Sequence, residues 1–283
     1  MIGLGAVALW ELWQRINQLD QAVQAQRANA PERKRQSGGG RKKAAEVLCR
    51  LLVTLLYLRQ HWTMQALAEA IGCGESTVWN YIHEMLPYLR AELPASLLEQ
   101  WQQECDSVER AELEAWLGEL PEGALLVDSW EQPIPRPQED AEQKAHYSGK
   151  KKDHTRKNQL ICLPQGTDIV DVVIGEAGPR SDSKLFEETQ AELPETLEFI
   201  GDKAYVGSRN TTTPIKKPRG GELTQDQKDF NRTVSQKRVY VEHLIRVVKI
   251  FRIAKEEFRM RSGMYELVIG CVCGLVRLRV QYV

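Results

Sequence analysis

Two apolar runs in this chain each end on an aspartate, and few folds can carry both. Ala124-Leu125-Leu126-Val127 runs into Asp128, and Leu197-Glu198-Phe199-Ile200-Gly201 runs into Asp202. Short apolar runs of this kind read as strands, with the acids at their ends. A third acid, Glu242, sits in Arg238-Val239-Tyr240-Val241-Glu242-His243, inside a long stretch of helical spacing. Two strand ends and one helix face can meet at a point, where an all-oxygen donor set suits Mg²⁺ or Mn²⁺. Two such ions could activate a nucleophile and stabilise the leaving oxygen of a phosphodiester. The pattern points to metal-dependent strand cleavage or strand transfer.

The text around these acids resembles the DDE transposases of the IS5-like group. It comprises Val127-Asp128-Ser129-Trp130-Glu131-Gln132-Pro133-Ile134-Pro135-Arg136-Pro137, Tyr147-Ser148-Gly149-Lys150-Lys151-Lys152-Asp153-His154-Thr155, Gly201-Asp202-Lys203-Ala204-Tyr205-Val206-Gly207, Lys216-Lys217-Pro218-Arg219-Gly220-Gly221-Glu222-Leu223-Thr224 and Val241-Glu242-His243-Leu244-Ile245. The resemblance implies a ribonuclease-H-like core with Asp128, Asp202 and Glu242 as the catalytic, metal-binding triad. It also implies the helix signature Tyr-x2-Arg-x3-Glu-x6-Lys, met here by Arg238, Glu242 and Lys249, with Ser235 in the tyrosine's place. Arg180-Ser181 precede Asp182, where that family often has His.

At 283 residues the chain is long enough for one sizeable core and a smaller domain. Its net charge of −1 advertises no nucleic-acid partner, but the charge is uneven. Residues 216–262 hold thirteen Lys/Arg against six Asp/Glu, whereas 94–122 is acidic. Local basic patches attract phosphate. The cysteines at 49, 73, 105, 162, 271 and 273 form no CxxC pair, and Cys271-x-Cys273 is too tight for zinc. They read as small buried hydrophobes in a reducing cytoplasm. Met1 to Trp10 lacks a basic start and a cleavage site, and Glu11 ends its apolar run well short of a membrane span. The expected setting is cytoplasmic and nucleoid-associated, with no membrane partner.

Residues 1–30 have the spacing of an amphipathic helix (Leu9, Trp10, Trp13, Ile16, Leu19), a candidate for dimerisation. Residues 31–43 are a flexible basic linker, either a solvated tether or an arm that grips phosphates or a minor groove. Residues 44–93 form an all-α domain with a helix-turn-helix pattern held together by Leu67, Ala68, Ile71, Val78 and Ile82. Its second helix sets Ser76, Thr77, Trp79, Asn80 and His83 on or near an exposed face, suited to phosphates and base edges. Residues 94–122 read as a helical connector, with a helical stretch over 95–119. The α/β domain follows at 123–283, with strands expected at 124–128, 132–136, 157–164, 167–174 and 197–202 and a hairpin turn at Gln165-Gly166. Ser181 or Asp182 caps a helix to about 191. Thr224 and Gln227 open a helix over 224–257, and an apolar helix spans 263–282.

Two basic clusters, Lys150-Lys151-Lys152 and Lys216, Lys217 and Arg219, flank the acids in sequence and are expected to hold the DNA backbone. Arg238 and Lys249 share Glu242's helix and could bind phosphate or steady its carboxylate. Asp182 reads as a helix cap, with a fourth acidic contributor to the site as the alternative; His154 and His243 are candidates for phosphate contact or proton transfer. The leading reading is a transposase using two Mg²⁺ ions, with Mn²⁺ as substitute, on double-stranded DNA at element ends and target. Cutting and joining two ends calls for a homo-oligomer. A catalytically silent, transposase-derived regulator would have lost an acid. A nuclease acting on hybrids shares the metal chemistry, but the helix-turn-helix favours duplex DNA.

Overall fold

In the computed structural model, which describes residues 2–29, 46–104, 110–118 and 123–282, the run after Gly123 forms strand β1 (Leu125–Pro133). Side chains of a strand alternate between faces. Leu126 and Trp130 therefore enter one buried cluster, and Leu125 and Val127 enter another on the opposite side. Strand β2 (Tyr147–Ser148) and strand β3 (Asp153–Cys162) follow, and β3 pairs antiparallel with β1 from Leu126 opposite Cys162 to Pro133 opposite Thr155. At the Gln165-Gly166 turn both residues take φ near +66°, and β4 (Ile169–Ala177) returns antiparallel to β3. Strands β5 (Phe199–Ile200) and β6 (Thr211–Thr212) add in parallel on the other side of β1, giving the order β4-β3-β1-β5-β6, with β2 pairing the start of β3. Three antiparallel strands followed by parallel additions form the ribonuclease-H-like core.

Helices α1 (Ala6–Ala28), α2 (Val47–Gln60), α3 (Met64–Ile71) and α4 (Glu75–Glu92) precede this sheet. Short α5 (Leu97–Glu104), α6 (Arg110–Gly118) and α7 (Asp140–His146) connect, and α8 (Asp182–Glu192), α9 (Gln225–Ile250) and α10 (Tyr265–Val280) complete the chain. On one face of the sheet, Phe186 of α8 meets Phe199 and Tyr205 edge-on at 5.0 and 5.4 Å. Helices α9 and α10 lie on the other face, and their apolar residues join one continuous core with those of α1 to α4, from Ala8 to Leu278. Leu12 and Ile16 of α1 are fully buried there, while Val7 and Trp10 stay exposed. Buried Arg277 ties the two regions: it pairs with Asp168 at 2.8 Å and donates to the carbonyls of Pro94 and Ser96. No helix among the described residues is long and apolar enough to cross a membrane.

Several expected elements differ. No separate strand forms at 132–136, because β1 keeps unbroken register with β3 through Pro133. The strand expected at 197–202 is hydrogen-bonded only at 199–200. Helix α9 stops at Ile250 instead of 257: Ile253 and Ala254 turn inward as a 3-10 turn, and the buried Gln132 amide takes the Ile253 carbonyl at 2.6 Å. Cys162, Cys271 and Cys273 are buried, but Cys73 is half-buried and Cys49 exposed, since it falls on the outer side of α2. The basic linker at 31–43 and Cys105 lie outside the described residues.

Candidate active site

Asp128 shares the parity of Leu126 and Trp130, so its carboxylate faces α9. Oδ1 accepts the Ser129 N–H at 2.8 Å, and Oδ2 lies 3.5 Å from Nη2 of Arg238. The same nitrogen is 3.3 Å from Oε1 of Glu242, one turn along α9. Leu126 pairs with Ile200, the last residue of β5, and Asp202 follows two positions beyond the end of that strand. Asp202 accepts the Ala204 N–H at 2.7 Å and caps the turn that follows β5. Val241, Leu244 and Ile245 bury the inner side of α9, which leaves Glu242 at the edge of that contact and exposed.

Burial pushes the Asp128 carboxyl up to about 6; the Ser129 N–H and Arg238 oppose the rise, and the charges of Asp202 and Glu242 add to it. The three acids therefore share one electrostatic environment. A buried carboxylate beside two others favours a cation, and three hard oxygen donors fit a divalent metal. Among the described residues, no three His, Cys, Asp or Glu side chains lie close enough together to hold a metal ion as they stand; the Arg238 guanidinium spans Asp128 and Glu242 instead.

Lys249 is half-buried nearby. Burial and then the charge of Lys151 hold its ammonium below the usual range, while Asp128 acts the other way. Lys151 belongs to the exposed turn between β2 and β3 with Lys150 and Lys152, and Lys152 takes φ +55°. Lys216, Lys217 and Arg219 are exposed in the loop before α9, and Lys217 is paired with Glu222. The structure thus brings Arg238, Lys249 and Lys151 near the acids, and leaves the second cluster on its own loop. His243 is exposed, and the His154 ring lies edge-on to Tyr147.

Asp182 is not the cap expected of it. Ser181 holds the cap position without a side-chain bond, and the Asp182 carboxylate turns to the sheet. It accepts the Ser129 hydroxyl at 2.5 Å and pairs with Lys157 at 2.9 Å. Gln159 donates to the Asp182 carbonyl and to the Tyr205 hydroxyl. This polar layer lies behind the strands that carry Asp128 and Asp202. The polar run Thr155 to Gln159 inside a central strand was the signal for it, since buried polar groups need partners.

In the amino-terminal region, Thr63 caps α3 by accepting the Ala66 N–H at 3.1 Å, and Gly72 ends it at φ +70°. Leu67, Ala68, Val78 and Ile82 are buried between the helices, but Ile71 is exposed, against expectation, because it falls on the last turn of α3. Ser76, Trp79 and Asn80 of α4 are exposed, and Thr77 and His83 partly so.

Comparison with known proteins identifies the family. The family model described as DDE superfamily endonuclease matches residues 127–277, and that described as helix-turn-helix of DDE superfamily endonuclease matches residues 49–95. A probable transposase for insertion sequence element IS702 of Microchaete diplosiphon is 29% identical over 252 residues, covering 87% of this chain and 85% of that one. Among solved structures, the Mos1 transposase paired-end complex with left transposon end covers 93% of this chain and 84% of that chain, at 11% identity and a TM-score of only 0.23. With its helix-turn-helix and more than half of its length matched, this chain belongs to the DDE superfamily endonucleases.

Proposed function

We propose that this chain is an insertion-sequence transposase whose α3–α4 unit binds the terminal repeats and whose α/β domain cuts the strand and joins its 3′-OH to target DNA. The supporting observation is that Arg238 bridges Asp128 of β1 and Glu242 of α9, while Asp202, at the turn after β5, is close enough for its charge to act on Asp128. Divalent-metal dependence belongs to this class of enzyme; two Mg²⁺ ions, replaceable by Mn²⁺, held by those three acids, are our proposal. When bound, the metal supplies the charge that activates water or a 3′-OH and takes up the charge of the leaving oxygen. The Ser129 and Ala204 N–H groups fix Asp128 and Asp202. Lys249, with Lys150, Lys151 and Lys152 beside it, would position the scissile phosphate, and Lys216, Lys217 and Arg219 the flanking backbone. Residues 1–30, 31–43, 44–93, 94–122 and 123–283 would serve as oligomer contact, basic arm, end recognition, connector and catalytic domain.

The test is cleavage of a labelled end duplex alongside a binding assay. Asp128→Asn, Asp202→Asn and Glu242→Gln keep shape but remove charge, so each should abolish cutting and leave end binding intact. Wild-type cutting by any one of them removes that residue from the triad, and full activity in chelator overturns the mechanism.

A further inference from the structure

Two residues of α4 border a groove at the junction with the catalytic domain. Trp79 and His83 line a groove of about 340 Å³ between α4 and the catalytic domain's 259–261 segment. Trp62, from the turn before α3, and Met64, the first residue of α3, line it as well, and Arg259 and Arg261 come from the opposite side. No carboxylate lines it. Its walls are aromatic: Trp79 stacks on His83 at 3.8 Å and 22°, yet Trp79 is 45% exposed and Trp62 39%. Large exposed indoles cost solvation and are commonly retained where they bind.

The two arginines differ. Arg259 is committed, donating to the His61 carbonyl and to its ring at 3.3 Å, so it braces the junction. The Arg261 guanidinium makes no ion pair among the described residues and stays exposed. A free guanidinium beside two open indoles matches one ligand chemistry, a planar base joined to a phosphate. Bases stack on aromatic side chains regardless of sequence, and arginine holds the backbone between them. A duplex base pair offers its faces only to its neighbours in the stack, so the base that enters must be unpaired.

We propose that this groove holds an unpaired nucleotide of the bound DNA, its base on Trp62 and Trp79 and its phosphate on Arg261. The site rests on the DNA-processing reading above and adds to it a preference for an end with a single-stranded extension. It also makes the catalytic domain part of end recognition, since one side of the groove follows α9.

The full chain is titrated with three probes: a blunt duplex, the same duplex with a short single-stranded overhang, and short oligothymidylate. Wild type should bind the overhang duplex about tenfold more tightly than the blunt one, the scale of one stacked base. Trp62→Ala should remove that advantage without changing blunt-duplex affinity, and Trp62→Phe should keep it. Arg261→Gln should lower oligothymidylate affinity and flatten its salt dependence by about one counterion. Circular dichroism checks that these exposed substitutions leave the fold intact. An overhang advantage that is absent in wild type or survives Trp62→Ala overturns the site, as does a Trp62→Ala loss equal on both duplexes. Failure of wild type to bind the blunt duplex instead removes the DNA-processing reading itself.

Discussion

Arg238 reaches Asp128 across 110 positions of chain, its Nη2 3.5 Å from the strand carboxylate. The contact places α9 over β1 at the site, and the same nitrogen reaches Glu242. One side chain therefore links the strand acid to the helix acid. Its Nε is buried without a partner.

Arg238→Met keeps the buried stem and removes the charge. Cleavage should fall at least tenfold, as expected when a charged hydrogen bond of about 1.5–3 kcal/mol is removed. Affinity for non-specific duplex should change little, and Arg238→Lys should restore part of the rate. Single-turnover cleavage with a parallel binding assay separates the two effects; unchanged cutting by Arg238→Met would remove its role.

Lys157 is 5% exposed and its ammonium pairs with Asp182. Asp182→Ala strands a buried charge, which costs about 3–5 kcal/mol when a pair is broken from one side. Thermal unfolding should register that cost, and adding Lys157→Met should recover most of it. If the double variant is no more stable than the single one, the pair does not set the cost.

Neutralising Lys150, Lys151 and Lys152 together should weaken binding to all DNA sequences alike. The salt slope should become shallower by about 0.9 for every phosphate that these lysines neutralise in the wild type. Affinity measured over a salt series, for end and unrelated duplexes, checks it. A changed sequence preference counts against a backbone role.

His61 joins α2 to the catalytic domain through Glu256 at 3.1 Å and through Arg259. Burial, then the Arg259 charge, hold its imidazole below the ordinary 6.5, and the Glu256 bond only partly offsets them. With the folded value below the unfolded one, its contribution to stability is full above pH 6.5 and is lost as pH falls through the folded value. His61→Asn cannot charge and tolerates the left-handed backbone at this position (φ +54°). Melting at neutral and mildly acid pH should show a smaller acid loss for this variant; an equal loss refutes the assignment.

Gly274 faces backbone. A Cβ there would meet the Leu93 carbonyl oxygen at 2.6 Å, where α10 docks on the end of α4. Gly274→Ala should cost about 1–3 kcal/mol by overpacking, read by denaturant unfolding. A neutral result would mean the two helices separate freely.

The β3–β4 hairpin with its Gln165-Gly166 turn and the capping of α9 by Thr224 and Gln227 were legible in the sequence, because periodicity and local hydrogen bonding depend only on near neighbours; Asp128, expected at a strand end, lies within β1 because β3 extends the pairing to Pro133. Strand and helix ends were less so: β5 keeps two residues and α9 stops at Ile250, since pairing partners and a buried Gln132 decide those limits. The turn of Asp182 toward Ser129 and Lys157 depends on partners 53 and 25 positions away, which no local pattern encodes. The merging of the amino-terminal helices with α9 and α10 into one core, and the groove that sets Trp79 against Arg261, belong to the tertiary structure for the same reason. Local spacing says which side of a helix is apolar; only the packed chain decides what that side meets.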